Sequence, residues 1–158
     1  MTKRIFRSIL LVAAAVLLAS FVLITGVLYD YFSNNQMEQL RAQTALAAQG
    51  VEKSGEGYFA GLGSHGTRLT WIAADGTVLY DSSANAAGME NHADREEVSS
   101  ALKTGTGEST RYSTTLMERQ LYCAQRLNDG TVVRLSCEQY TPLMLVLGML
   151  QPVIVIAT

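Results

Sequence analysis

Residues 9–28 read I-L-L-V-A-A-A-V-L-L-A-S-F-V-L-I-T-G-V-L, an unbroken run of 20 residues without a charge. No other feature of the chain restricts its fold as tightly. As a helix rising about 1.5 Å per residue, the run spans roughly 30 Å, the hydrocarbon thickness of a bilayer. The alternative is a cleaved signal peptide, for which Ala19 and Ser20 are small enough to suit a peptidase. Signal peptides have apolar regions of only about 7–15 residues, so the length favours an anchor. Lys3, Arg4 and Arg7 stand just before the run and put the N-terminus in the cytoplasm. The reading is a cytoplasmic N-terminus at 1–8 and a transmembrane helix at 9–29.

Residues 141–158 read T-P-L-M-L-V-L-G-M-L-Q-P-V-I-V-I-A-T, again without a charge. As a helix they cover about 27 Å, slightly short of a crossing. No Lys or Arg follows. The expectation is a second transmembrane helix, truncated, with Pro142 in its first turn and Pro152 at a kink that membrane helices tolerate. Residues 30–140 then lie outside the plasma membrane, a loop of roughly 110 residues, enough for one small core. That loop holds 9 of the 12 basic residues and all 14 acidic ones, a net charge of −5. It has no basic patch, which excludes nucleic acid as an expected partner.

Within the loop, Met37, Leu40, Thr44, Ala47 and Val51 are spaced 3, 4, 3 and 4 among good helix formers. The membrane helix is expected to continue outward through them. The seam either pairs two subunits or packs on the domain's own sheet, and two heptads do not separate these readings. Residues 54–66 contain five glycines, Gly55, Gly57, Gly61, Gly63 and Gly66. A phosphate-binding loop would need a preceding strand and a following Lys-Ser/Thr, so a connector is the reading. The phrase D-G-T-V occurs twice, at 75–78 and 129–132. Each copy sits between stretches rich in β-branched and aromatic residues, and Asp-Gly is a strong hairpin signal. Strands are expected at 67–73 and 77–82, with a loop at 85–91.

Residues 94–103 predict a helix. Asp94 and Glu97 have the spacing of a capping box, Val98, Ala101 and Leu102 share a face, and Gly105 stops it. Three more strands follow, the last two joined by the second D-G-T-V. In the last, Val133, Leu135 and Cys137 alternate with Arg134 and Ser136, as in a half-buried strand. A long helix, two strands, a helix and three strands make an α+β domain with helices against an antiparallel sheet.

No nucleophile–base pattern is present, and nothing marks Ser82 or Ser83 after Asp81 as activated, so no catalytic residue is assigned. His65 and His92 are the only histidines. Glu90 and Asp94 flank His92, but no spacing supplies three or four converging ligands, and no metal site is expected. Cys123 and Cys137 face each other across the second hairpin only if its loop is 129–131. A loop of 129–130 puts them on opposite faces. A loop of 128–130 leaves them diagonal, where a disulfide is strained. The bridge is therefore one reading, and two small core thiols the other.

The segments R-L-T-W-I-A-A-D-G-T-V-L-Y-D-S, M-E-N-H-A-D-R-E-E-V, A-L-K-T-G-T-G-E-S-T-R-Y-S-T-T-L and L-N-D-G-T-V-V-R resemble the extracellular sensor domains of bacterial two-component sensor histidine kinases. The nearest type is the phosphate-regulon and cell-wall kinases of Gram-positive bacteria. The resemblance extends over the whole chain. It implies a PAS-like (Cache-like) five-stranded antiparallel sheet in the order 2-1-5-4-3, flanked by the long N-terminal helix. It implies a homodimer, a small-molecule or protein signal outside, and a cognate response regulator inside. It also implies a linker, a dimerisation module with a phosphoacceptor histidine, and an ATP- and Mg-binding module after residue 158, none of them in this segment. In such folds a ligand pocket lies between the sheet and the segments covering it. Arg68, Tyr80, Asp81, Arg111, Tyr112 and Tyr122, polar or amphipathic groups on expected strands, are the candidates to line it, with Arg111 suited to clamp a carboxylate or phosphate. Arginine alternating along a strand is also what a solvated face looks like. The same type of ectodomain serves chemoreceptors and nucleotide cyclases, and a self-standing membrane-anchored binding module is a further alternative.

Overall fold

The computed structural model describes residues 2–61, 66–113 and 118–139. The second expected span at 141–158 and His65 lie outside them. Helix α1 runs Thr2–Ser54 and a 3-10 turn follows at Gly55–Gly61. Then come β1 (Thr67–Ile72), β2 (Val78–Asp81), a 3-10 turn (Ala86–Gly88), α2 (Glu96–Thr104), β3 (Thr106–Ser113), β4 (Glu118–Arg126) and β5 (Val132–Glu138). Two compact units divide the chain between Asn34 and Asn35.

In the first unit, α1 is long and apolar enough to cross a membrane, by length and composition. Its large side chains, among them Ile9, Leu10, Leu11, Val12, Leu17 and Leu18, are exposed along the run. A helix apolar on all sides has the composition of a membrane span.

The second unit, Asn35–Gln139, is the α+β domain. Its sheet has five strands in the order β2-β1-β5-β4-β3, all neighbours antiparallel, as expected. The seam of α1 lies on one face of this sheet. Leu40, Thr44, Ala47 and Val51 are buried, and Met37 packs at the edge, against Leu69, Leu121, Cys123, Val133 and Leu135. Of the two readings of the seam, the structure takes the one in which it packs on its own domain.

The two D-G-T-V phrases make the same turn. Asp75 Oδ1 accepts from the Thr77 N–H at 2.9 Å, and Asp129 Oδ1 accepts from the Thr131 N–H at 2.9 Å. Gly76 and Gly130 adopt φ of 88° and 86°, a region that only glycine enters cheaply. Trp71 Nε1 donates to Thr131 Oγ1 at 3.0 Å, tying β1 to the second turn. The second loop is 128–130, closed by the Leu127 N–H on Thr131 O at 2.7 Å. Leu121 therefore pairs with Cys137 and Cys123 with Leu135. The cysteines are diagonal neighbours on one face and are free thiols.

On the other face, α2 packs through Val98 and Ala101 onto Ile72, Ala124 and Val132. Gly105, at φ 97°, ends it with its N–H on Ala101 O at 2.8 Å. The expected capping box is absent. Arg95 is the N-cap and makes no side-chain cap bond, since a guanidinium has no acceptor to offer, and Glu97 turns inward to the sheet.

Candidate functional site

Strand alternation puts Arg68 and Thr70 of β1, Tyr122 of β4, Arg134 and Ser136 of β5, and Ser109 and Arg111 of β3 on the face that α2 covers. These side chains form one hydrogen-bonded system across the sheet. Arg68 Nε donates to both oxygens of Asp81, at 3.0 and 2.9 Å. Thr70 Oγ1 donates to Asp81 Oδ2 at 2.8 Å and accepts from Arg134 NH2 at 3.1 Å. Arg134 NH1 reaches Glu97 Oε1 at 3.3 Å, Ser109 Oγ donates to Glu97 Oε2 at 2.6 Å, and Arg111 NH2 also bonds Glu97 Oε1. The guanidinium carbons of Arg111 and Arg134 lie 4.1 and 5.4 Å from the centroid of the Tyr122 ring, whose π-face attracts cations.

The electrostatics follow from burial. Loss of water pushes the Glu97 carboxyl up. The Ser109 hydroxyl, the backbone N–H of Glu97 itself, and the charges of Arg111 and Arg134 outweigh this and hold it below the usual carboxylate range. Asp81 behaves likewise: burial raises it, while the Ser83 N–H, Arg68 and Thr70 bring it down overall. Burial, joined by the positive charges of Arg134, Arg95 and Arg68, lowers the His92 imidazole to about 4. Its ring is buried and Nδ1 has no partner among the described residues. The backbone N–H of His92 donates to Gly76 O at 2.8 Å, pinning the loop before α2 to the first Asp-Gly turn.

Of the six residues proposed for a pocket, Arg68, Asp81, Arg111 and Tyr122 come together here. Tyr80 does not. It lies on the α1 face, stacked on Phe59 with ring centroids 4.1 Å apart. Tyr112 is 54% exposed and contributes nothing to the network. Arg111, expected to hold a ligand, is already engaged by Glu97. Sequence reasoning missed Glu97, Arg134, Ser109 and Thr70. The one available signal was the inward phase of Glu97, one residue before Val98, which put it beside the apolar face of α2.

A cleft of about 320 Å³ opens beside the network, lined by Thr67, Arg68, Ser83, Gln120, Tyr122, Ser136 and Glu138. Among the described residues, no three His, Cys, Asp or Glu side chains gather as metal ligands would. No family model matches the chain, and no curated protein matches it.

Proposed function

We propose that the chain is the sensing and membrane-spanning region of a bacterial two-component sensor histidine kinase, its α+β domain outside the plasma membrane and its N-terminus in the cytoplasm. The observation that carries this reading is the sheet order β2-β1-β5-β4-β3 with α1 along one face, the arrangement implied by the sensor-domain segments in the sequence. The apolar part of α1 supports the membrane location. In this reading an external small molecule or protein binds two arrangements of the domain unequally, since otherwise no signal could pass. The response travels through α1, which belongs to the domain's core from residue 40 to 51. Phosphorylation, with ATP and Mg, belongs to other modules of the same polypeptide, which works as a homodimer and hands its phosphoryl group to a response regulator.

The test is the reading frame beyond the codon for Thr158. A second span followed by a histidine-bearing dimerisation helix and an ATP-binding module is the expected result. A methylated coiled coil or a cyclase module would overturn the kinase assignment, and an immediate stop codon would leave a tethered binding module.

A further inference from the structure

The cleft beside the network has a cation with hydrogen-bonding capacity left over. Arg68 commits its Nε to Asp81, whose side chain is 0% exposed. Asp81 is itself fixed by Thr70 Oγ1 and by the backbone N–H groups of Ser83 and Ala84, at 2.9 and 3.0 Å. The guanidinium is thus held in place, yet its side chain is 37% exposed in the cleft. Neither terminal nitrogen has a hydrogen-bond partner among the described residues. A guanidinium fixed at Nε and open at its other two nitrogens offers two parallel N–H donors, the geometry that fits a carboxylate edge.

Within the network, Arg68, Arg111 and Arg134 face the two carboxylates Asp81 and Glu97, and Glu138 in the cleft lining balances the third positive charge, so the selectivity rests on the donor geometry of Arg68 and not on net charge. Arg111 and Arg134 are occupied by Glu97, so Arg68 is the member open to a newcomer. Glu138, exposed in the same lining, opposes a second negative charge on that newcomer. The hydroxyls of Thr67, Ser83, Ser136 and Tyr122 and the amide of Gln120 supply donors and acceptors for polar substituents. The volume of about 320 Å³ lies at the small end of ligand sites.

We infer that this cleft binds a small molecule bearing a single carboxylate, held bidentately by Arg68. The inference concerns binding alone and stands apart from the output. It can fail while the membrane-signalling reading survives, and the reverse.

The experiment uses the full chain in detergent micelles, with thermal unfolding and calorimetry in the presence of sodium lactate, L-alanine or inorganic phosphate at about 10 mM, and sodium chloride at matched ionic strength. Lactate or alanine should raise the Tm above the chloride control. Arg68→Lys keeps a cation beside Asp81 but loses the paired donors, and should weaken that ligand at least tenfold. Gln120→Ala removes a lining amide and no ion pair, and should weaken it several-fold. The inference is overturned if no carboxylate raises the Tm, if phosphate alone does, or if both variants bind as the wild type does.

Discussion

The Glu97 carboxylate on α2 and the Arg134 guanidinium on the central strand meet at 3.3 Å with 0% and 5% of their side chains exposed. Replacing both members of such a pair is often tolerated, but removing one strands a buried charge. Glu97→Gln leaves Arg111 and Arg134 without their counter-charge and should cost about 3–5 kcal/mol. Adding Arg134→Gln should cost less than the two single losses together, with a coupling of about 0.5–3 kcal/mol. Urea unfolding read by the single tryptophan, Trp71, measures both. Strict additivity would mean that the pair is not coupled.

Acid should weaken the domain in two stages. Folded His92 stays neutral down to about 4, whereas in the unfolded chain it protonates near 6.5. Between these values the unfolded state binds more protons, so stability falls as pH falls, by roughly 3 kcal/mol in all. Below that, Glu97 and Asp81, both held under their ordinary range, give up their contributions as pH drops through their folded values. His92→Gln should flatten the profile between pH 6.5 and 4 and leave the lower stage in place. An unchanged profile would assign the first stage to another group.

Leu40, 2% exposed, packs within its own domain. Leu40→Ala should cost about 2–5 kcal/mol. The loss should be the same at protein concentrations differing about tenfold, because a contact inside one chain has no dependence on mass action. A loss that shrinks at the higher concentration would place Leu40 between subunits.

The cysteines should resist both bridging and alkylation. Diagonal partners in a ladder lie roughly 7–8 Å apart at Cα, beyond the usual reach of a disulfide. Burial raises both thiols above their ordinary value, lowering the fraction of reactive thiolate. Diamide treatment of the folded chain should leave its mass unchanged, and both thiols should alkylate at once in urea. Loss of two hydrogens in the folded state would show that the hairpin register shifts.

The elements were legible because each is written in a local code. Charge-free length gives the apolar helix, a 3-4 spacing gives the core seam of α1, and Asp-Gly gives both hairpin turns. The network was not, because it depends on what covers the sheet. In β5, Arg134 and Ser136 alternate with Val133 and Leu135, which reads as one wet face and one dry face. The structure buries all four, since α2 and the loop before it close over the second face. Glu97 was misread for the same reason: its spacing from Asp94 suggests a helix cap, and only the approach of β3 and β5 shows that it faces three partners. That approach hinges on Gly107, where a methyl group would sit 2.0 Å from the Glu97 carbonyl oxygen.

Among the described residues, Thr70 is the one uncharged link between the two charged halves of that network. An ionised carboxylate only accepts and a guanidinium only donates, so the hydroxyl proton must point to Asp81 and a lone pair to Arg134. The hydroxyl has no second orientation that satisfies both neighbours. Valine has the same outline and neither capacity. A single oxygen atom thus joins the Arg68 end of the sheet to the Glu97 end, and exchanging it for a methyl group would divide one continuous circuit into two closed islands.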